Sequence, residues 1–120
     1  MTEYLSLADL VKLTDDLGVG PIRDLGLLES AVARPQSQLW GRQAYAALDE
    51  KAAALLESIV VNHALVDGNK RLGFLATAVF YEINGVDFKP DDDEAYDTVI
   101  GVASGKIGFE RLCETLANWH

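Results

Sequence analysis

The chain has 120 residues, the length of one ordinary domain, and its 49% hydrophobic and 24% charged residues are typical of a folded globular protein. Nineteen acidic against ten basic residues give a net charge of -9. This balance argues against direct, nonspecific binding to nucleic acid and against docking on anionic membranes, because both need a cationic surface. Cys113 is the only cysteine, so no internal disulfide can form and a reducing cytoplasm fits best.

The N-terminus lacks the basic start and apolar stretch of a secretion signal. The most apolar helical run, residues 72–81, is shorter than the roughly 20 residues that a membrane-spanning helix needs. No repeat or linker divides the chain. We therefore expect one soluble, cytoplasmic domain over residues 1–120.

Apolar spacing and helix caps predict six helices and an all-α fold. The predicted ranges are about 6–17, 25–33, 49–63, 69–84, 92–104 and 110–119. Ser6 with Asp9 resembles a capping box at the first helix start. The fourth helix is apolar nearly all round, so we expect a compact bundle with the third and fourth helices at its centre.

Two stretches between these helices have no helical period. Residues 35–48 are predicted as a loop or short hairpin that carries Trp40 and Tyr45. Residues 86–88 have the composition of a short strand, although little else in the chain offers a partner.

The junction between the third and fourth helices, residues 63–71, concentrates polar and charged groups beside the most apolar part of the chain. Gly68 leads directly into a helix start at Asn69, where backbone N–H groups lack acceptors and the helix dipole is positive. Such an end binds anions, phosphate especially, and glycine allows a close approach to the backbone. Lys70 and Arg71 add two positive charges in the first turn, where cations are unfavourable unless an anion is held.

Two further side chains complete the chemistry of this junction. Asp67 is a hard oxygen ligand, and Mg²⁺ typically binds through one or two carboxylates together with substrate phosphates. His63 can accept a proton near neutral pH. A base, a metal carboxylate and a phosphate cradle within nine residues indicate phosphoryl or nucleotidyl transfer to a hydroxyl.

Each of these residues also has a purely structural interpretation. His63 falls on the apolar face of its predicted helix and could be a hydrogen-bonded core histidine. Asp67 could be a helix N-cap, and Lys70 and Arg71 could lie on a solvated edge. A zinc site is disfavoured because no second histidine is nearby, and a P-loop because no Ser or Thr follows Lys70. The coincidence of all these features favours the functional interpretation.

Residues 63–71, His-Ala-Leu-Val-Asp-Gly-Asn-Lys-Arg, resemble the signature of the Fic/Doc family, His-x-Phe-x-(Asp/Asn/Glu)-(Gly/Ala)-Asn-(Gly/Lys)-Arg. Six positions carry matching chemistry, including every polar one, and Leu65 replaces the usual Phe. The helical order and the Ala33–Gln36 stretch are also similar to Doc proteins. The resemblance implies a Fic/Doc-like helical bundle with a flap at residues 35–48 that presents the target segment.

The resemblance also implies roles for individual residues. His63 would be the general base, Asp67 would hold Mg²⁺, and Gly68 with Asn69 would form the anion-binding turn. Lys70 and Arg71 would contact the phosphates of ATP. Adenylylating Fic enzymes usually have Gly at position 70 and Arg at position 74, whereas this chain has Lys70 and Phe74, as Doc proteins do.

That pattern implies a toxin of a type II toxin–antitoxin system, a kinase that transfers the γ-phosphate of ATP to a Ser or Thr of translation elongation factor Tu. The inhibitory (Ser/Thr)-x-x-x-Glu-(Gly/Asn) motif of many Fic proteins does not occur here, so inhibition would come from a separate antitoxin of the Phd type. Trp40 would contact that antitoxin or belong to the core. Two alternatives remain open, a protein adenylyltransferase and a catalytically silent, partner-binding helical module.

Overall fold

The computed structural model describes all residues 1–120 and is an all-α bundle with one small hairpin. The α-helices, in chain order, are α1 (Leu7–Leu17), α2 (Leu25–Ala33), α3 (Leu48–Asn62), α4 (Asn69–Ile83), α5 (Asp92–Ala103) and α6 (Phe109–Ala117). A short 3₁₀ turn, Arg34–Gln36, continues α2 into the hairpin, whose strands are β1 (Gln38–Leu39) and β2 (Arg42–Gln43). The prediction of six helices is confirmed, and each boundary lies within about two residues of its predicted position.

Side-chain caps fix several helix starts. The Ser6 hydroxyl accepts the Asp9 N–H at 3.1 Å and the Asp9 carboxylate accepts the Ser6 N–H at 2.8 Å, which confirms the predicted capping box. Asp24 and Asp91 accept N–H groups in the first turns of α2 and α5. Gly18, in the left-handed conformation, ends α1.

Helices α3 and α4 form the centre of the bundle, as predicted. Helix α3 packs against α2, α4, α5 and α6, and its buried positions include residues 51–56 without a break. Gly73 lets the two central helices approach closely, because a Cβ atom there would lie 2.7 Å from Val60 Cγ2. None of the α-helices combines the length and apolar character needed to cross a bilayer. This closely packed central pair presents the junction between α3 and α4 at the surface.

The predicted loop or short hairpin at residues 35–48 is a hairpin in its middle part. Gln38 pairs with Gln43 and Leu39 pairs with Arg42 in antiparallel register. Trp40 and Gly41 form the turn with φ of 52° and 78°, the conformation that suits a two-residue connection between twisted strands.

The idea of a strand at residues 86–88 is wrong. The segment forms no backbone ladder, and Phe88 instead stacks on Tyr81 with ring centroids 4.5 Å apart. Its ring also meets Trp119 edge-on at 5.9 Å, so aromatic packing attaches the segment to α4 and the chain end.

Candidate active site

The junction between α3 and α4 opens into a cavity of about 930 Å³, which falls within the range typical of ligand pockets. The end of α3, the start of α4 and one face of α5 form its walls. All six residues predicted from the sequence line it: His63, Asp67, Gly68, Asn69, Lys70 and Arg71. The structure therefore brings the whole predicted set together at one opening.

His63 is the first residue beyond α3, not its last helical residue. It adopts the left-handed conformation, with φ 55° and ψ 50°, and thereby ends the helix. This conformation is uncommon for residues other than glycine and costs free energy. The side chain is exposed and lines the cavity, so the interpretation as a core histidine is wrong.

Gly68 is required by its backbone and by its packing. Its φ is 95°, and a Cβ atom there would lie only 2.4 Å from Val19 Cβ. Gly68 is itself the N-cap of α4 and supplies no side-chain acceptor, so the interpretation of Asp67 as the N-cap is wrong. The first turn of α4 lines the cavity, and no side chain caps its N–H groups.

Asn69 is buried and uses its side chain inside the loop. Its Oδ1 accepts the Leu65 N–H at 2.9 Å, and its Nδ2 donates to the Leu65 carbonyl at 2.9 Å. Leu65 is 1% exposed, so it anchors the loop in the core although it replaces the usual Phe. The side-chain amide of Asn69 therefore shapes the loop. The group of Asn69 that can bind an anion is its backbone N–H.

Charged groups at the rim of the cavity are held loosely. Arg71 Nη2 lies 3.8 Å from Asp67 Oδ2, and the side chains are 62% and 82% exposed. An ion pair in such a setting contributes little to stability, so both groups can turn towards a ligand. No cluster of three or more His, Cys, Asp or Glu side chains could hold a metal by itself. Asp67 is therefore a candidate for a metal that takes its other ligands from a bound phosphate and water.

The opposite part of the cavity is apolar and was not predicted. Phe74 from α4 and Tyr96, Val99 and Ile100 from α5 line it, and Tyr96 is 69% exposed. Asp92 joins this wall from the first turn of α5. The apolar spacing of α5 predicts a helix, but it does not say which central helix that face meets.

A second feature missed from the sequence is the segment between α1 and α2, which lies along the junction loop. The Gly20 N–H donates to the Asp67 carbonyl at 3.0 Å, and the Val66 N–H donates to the Pro21 carbonyl at 3.0 Å. Ile22 and Leu65 form an isolated β-bridge between the second of these bonds and the bond from the Arg23 N–H to the Ala64 carbonyl. The junction loop is thus held from outside by backbone pairing as well as from inside by Asn69.

The hairpin is tied to α3 by two cations and contributes no residue to the cavity wall. Lys51, 2% exposed, donates to Gln43 Oε1 at 2.6 Å and also to the carbonyls of Tyr45 and Ala46. Trp40 is 94% exposed at the tip, so of its two alternatives the one that placed it in the core is wrong.

Arg34 makes the second attachment between the hairpin and α3. It donates to the Tyr45 hydroxyl at 2.9 Å and to Glu57 Oε1 at 2.8 Å. Burial acts to lower the pKa of Arg34, but the hydrogen bonds with Tyr45 and Glu57 outweigh it and the pKa is raised. Arg34 therefore stays charged, and it fixes the base of the hairpin to α3.

Comparisons with known proteins bear on the family to which the chain belongs. A model of the Fic/DOC family matches residues 4–81, which include the junction, all of α3 and most of α4. The chain belongs to the Fic/DOC family. Members of this family are transferases of phosphate or nucleotidyl groups. A Toxin Doc from Mycolicibacterium smegmatis (strain ATCC 700084 / mc(2)155) is 43% identical over 123 residues, with 99% of this chain and 95% of that protein covered.

Replacing Asn69 tests whether its side-chain amide maintains the conformation of the junction loop. We expect Asn69→Ala to lower the free energy of unfolding by about 2–4 kcal/mol, because the buried N–H and carbonyl of Leu65 would each lose a partner. Urea unfolding followed by circular dichroism measures the change. Lys70→Ala, at the next, exposed position, should change stability by no more than about 1 kcal/mol, the size of its unfavourable interaction with the helix dipole. Equal stability of the two variants would contradict the assignment.

Replacing Lys51 tests the attachment of the hairpin. We expect trypsin to cut after the exposed Arg42 at least roughly tenfold faster in Lys51→Met, because hydrogen bonds to a charged group contribute about 1.5–3 kcal/mol. Mass spectrometry identifies the cut, and thermal unfolding shows whether the rest of the fold persists. The control is Lys106→Met, which removes an exposed lysine. A hairpin that is cut no faster in Lys51→Met than in this control is held by something else.

Proposed function

We propose that this chain is a toxin that transfers the γ-phosphate of ATP to a serine or threonine hydroxyl of a translation factor. Translation elongation factor Tu is the target that the resemblance to Doc proteins implies. The observation that carries the proposal is the convergence of His63, Asp67 and the start of α4 at one cavity. The similarity to Toxin Doc supports the biological role.

The start of α4 would bind the phosphates. Its N–H groups have no capping side chain, and the helix dipole adds positive potential at the same place. Lys70 and Arg71, both exposed, each cost the free helix about 0.3–1 kcal/mol at this end. A bound polyphosphate reverses the sign of that interaction, so cations that are unfavourable in the empty site become favourable in the loaded one.

Asp67 would hold Mg²⁺. Its carboxylate is 82% exposed, has only the 3.8 Å contact with Arg71, and offers the hard oxygens that this ion prefers. When bound, the ion would neutralise charge on the phosphate oxygens and so make the γ-phosphorus easier to attack. Arg71 would then leave Asp67 for a phosphate oxygen, with no loss of a strong ion pair.

His63 would act as the general base. The hydroxyl oxygen of the target forms a bond to the γ-phosphorus, the bond from that phosphorus to the bridging oxygen of ADP breaks, and the imidazole of His63 takes the hydroxyl proton. A positioned base of this kind typically contributes about 10²–10⁴ in rate. The exposure of His63 lets a hydroxyl on a second protein reach it.

Two residues favour phosphate transfer over adenylylation. Lys70 fills space that a glycine leaves open at the start of the helix, and Phe74 places an aromatic ring where a second arginine would bind phosphate. Both line the cavity, so each bears on how the nucleotide enters. The resemblance to Doc proteins implies a nucleotide that presents its γ-phosphate to the base.

Labelled ATP distinguishes the three candidate functions. We expect label from γ-labelled ATP, and none from α-labelled ATP, on purified translation elongation factor Tu in the presence of Mg²⁺. Transfer of α label would establish adenylylation instead, and transfer of neither would favour the partner-binding module. His63→Ala should abolish transfer. His120→Ala, which removes the only other histidine, should retain it, because His120 lies against Asp49 at 2.7 Å and not in the cavity.

The toxin role is tested in cells. We expect expression without an antitoxin to arrest growth, His63→Ala to abolish the arrest, and His120→Ala to retain it, since arrest would follow from inhibited translation. Co-expression of a cognate antitoxin, of the Phd type by family resemblance, should restore growth. A cytoplasmic location fits both the target and the lone Cys113. Full arrest by the His63→Ala protein would show that toxicity comes from binding and not from chemistry.

A further inference from the structure

Arg23, in the segment between α1 and α2, is hydrogen-bonded to His63, the residue proposed as the base. Its guanidinium Nη2 donates to the carbonyl oxygen of His63. Its backbone N–H donates to the Ala64 carbonyl at 2.7 Å, and the Asp24 N–H donates to the same carbonyl at 3.0 Å. The two peptide carbonyls that follow the imidazole are therefore both held by one short segment.

His63 is a residue that needs such support. Its left-handed backbone conformation is unfavourable for a side chain with a Cβ, and surrounding contacts must maintain it. Carbonyl groups at the end of a helix also lack partners within the helix, and a cation is favourable there. Arg23 supplies both a donor and a positive charge at the end of α3.

We propose that Arg23 is a positioning residue for His63. By fixing the peptide carbonyl of His63, its guanidinium keeps the left-handed turn in place, and this turn directs the imidazole to the cavity. The inference rests on the proposed function, in which His63 is the base. Arg23 does not line the cavity, so it is not expected to touch ATP or the target hydroxyl.

Steady-state kinetics separate positioning from phosphate binding. We expect Arg23→Ala to lower kcat about 10- to 100-fold, because small misplacements of a reacting group have effects of this size. The KM for Mg·ATP should change by less than roughly threefold, since the cation lies outside the cavity wall. Arg111→Ala, which removes another exposed arginine, is the matched control and should change neither constant. A raised KM with unchanged kcat would overturn the proposal in favour of a direct phosphate contact.

Two further measurements test whether a loss of activity in Arg23→Ala is specific to the missing guanidinium group. Arg23→Lys keeps a donor and a charge, so it should retain more activity than Arg23→Ala, and circular dichroism verifies that both variants fold. Guanidinium ion at millimolar concentration should restore part of the activity of Arg23→Ala and leave Arg111→Ala unchanged. Absence of both effects would mean that Arg23 acts only through general stability.

A spectroscopic measurement tests the role of Arg23 without relying on enzymatic activity. In protein with isotope-labelled histidine, the ring signals of His63 should be sharp in the native chain and in Arg111→Ala, but broadened or split in Arg23→Ala. The signals of His120 serve as the internal reference. If the native chain transfers no phosphate, the proposed function fails while this spectrum still decides whether Arg23 orders His63. Unchanged His63 signals in Arg23→Ala would overturn the positioning role.

Discussion

The pair of hydrogen bonds between the Asn69 amide and the backbone of Leu65 determines the shape of the junction loop. Both residues are buried, so these bonds form where an unpaired N–H or carbonyl would be expensive. The buried members of the motif turn inward to build this frame. The side chains of His63, Asp67, Lys70 and Arg71 are left exposed around one opening. One short stretch of chain is thus divided between residues that hold the loop and residues that can meet a ligand.

The junction contains backbone conformations and charges that are unfavourable in free energy, and the packing of the bundle beneath it must compensate for them. His63 has a left-handed backbone, Gly68 caps α4 without a side-chain acceptor, and two cations follow in the first turn. Unfavourable features that cluster at one place are typical of binding and catalytic sites. The close packing of Gly73 on Val60, one turn further along α4, is the kind of contact that maintains them.

What could be predicted from the sequence follows from local rules. The capping box at Ser6, the glycine that ends α1 and the chemistry of residues 63–71 all depend on neighbours within a few positions. What could not be predicted depends on distant pairs. Arg23 and His63 are 40 positions apart, and the α5 wall with Tyr96 meets the cavity only through tertiary packing.

The conformation of His63 shows why a local rule failed. Apolar spacing in α3 continues through the motif, so periodicity places His63 on the buried face of the helix. The helix instead ends at Asn62, and the left-handed turn at His63 carries the imidazole to the surface. Contacts from Arg23 and the α1–α2 segment stabilise that turn, and no pattern within α3 contains them.

Helix α3 links the hairpin to the proposed base. Lys51 and Arg34 attach the hairpin to positions 51, 54, 57 and 58 of this helix, and His63 follows directly after its end. At 1.5 Å per residue, the last of these attachment points lies about 7–8 Å along the axis from His63, and the first about 18 Å. Both attachments use cations and one of them is fully buried, so the base of the hairpin is fixed to the helix that His63 follows. Under the proposed function, a protein segment bound at the base of the hairpin would be held by the same helix that the histidine follows.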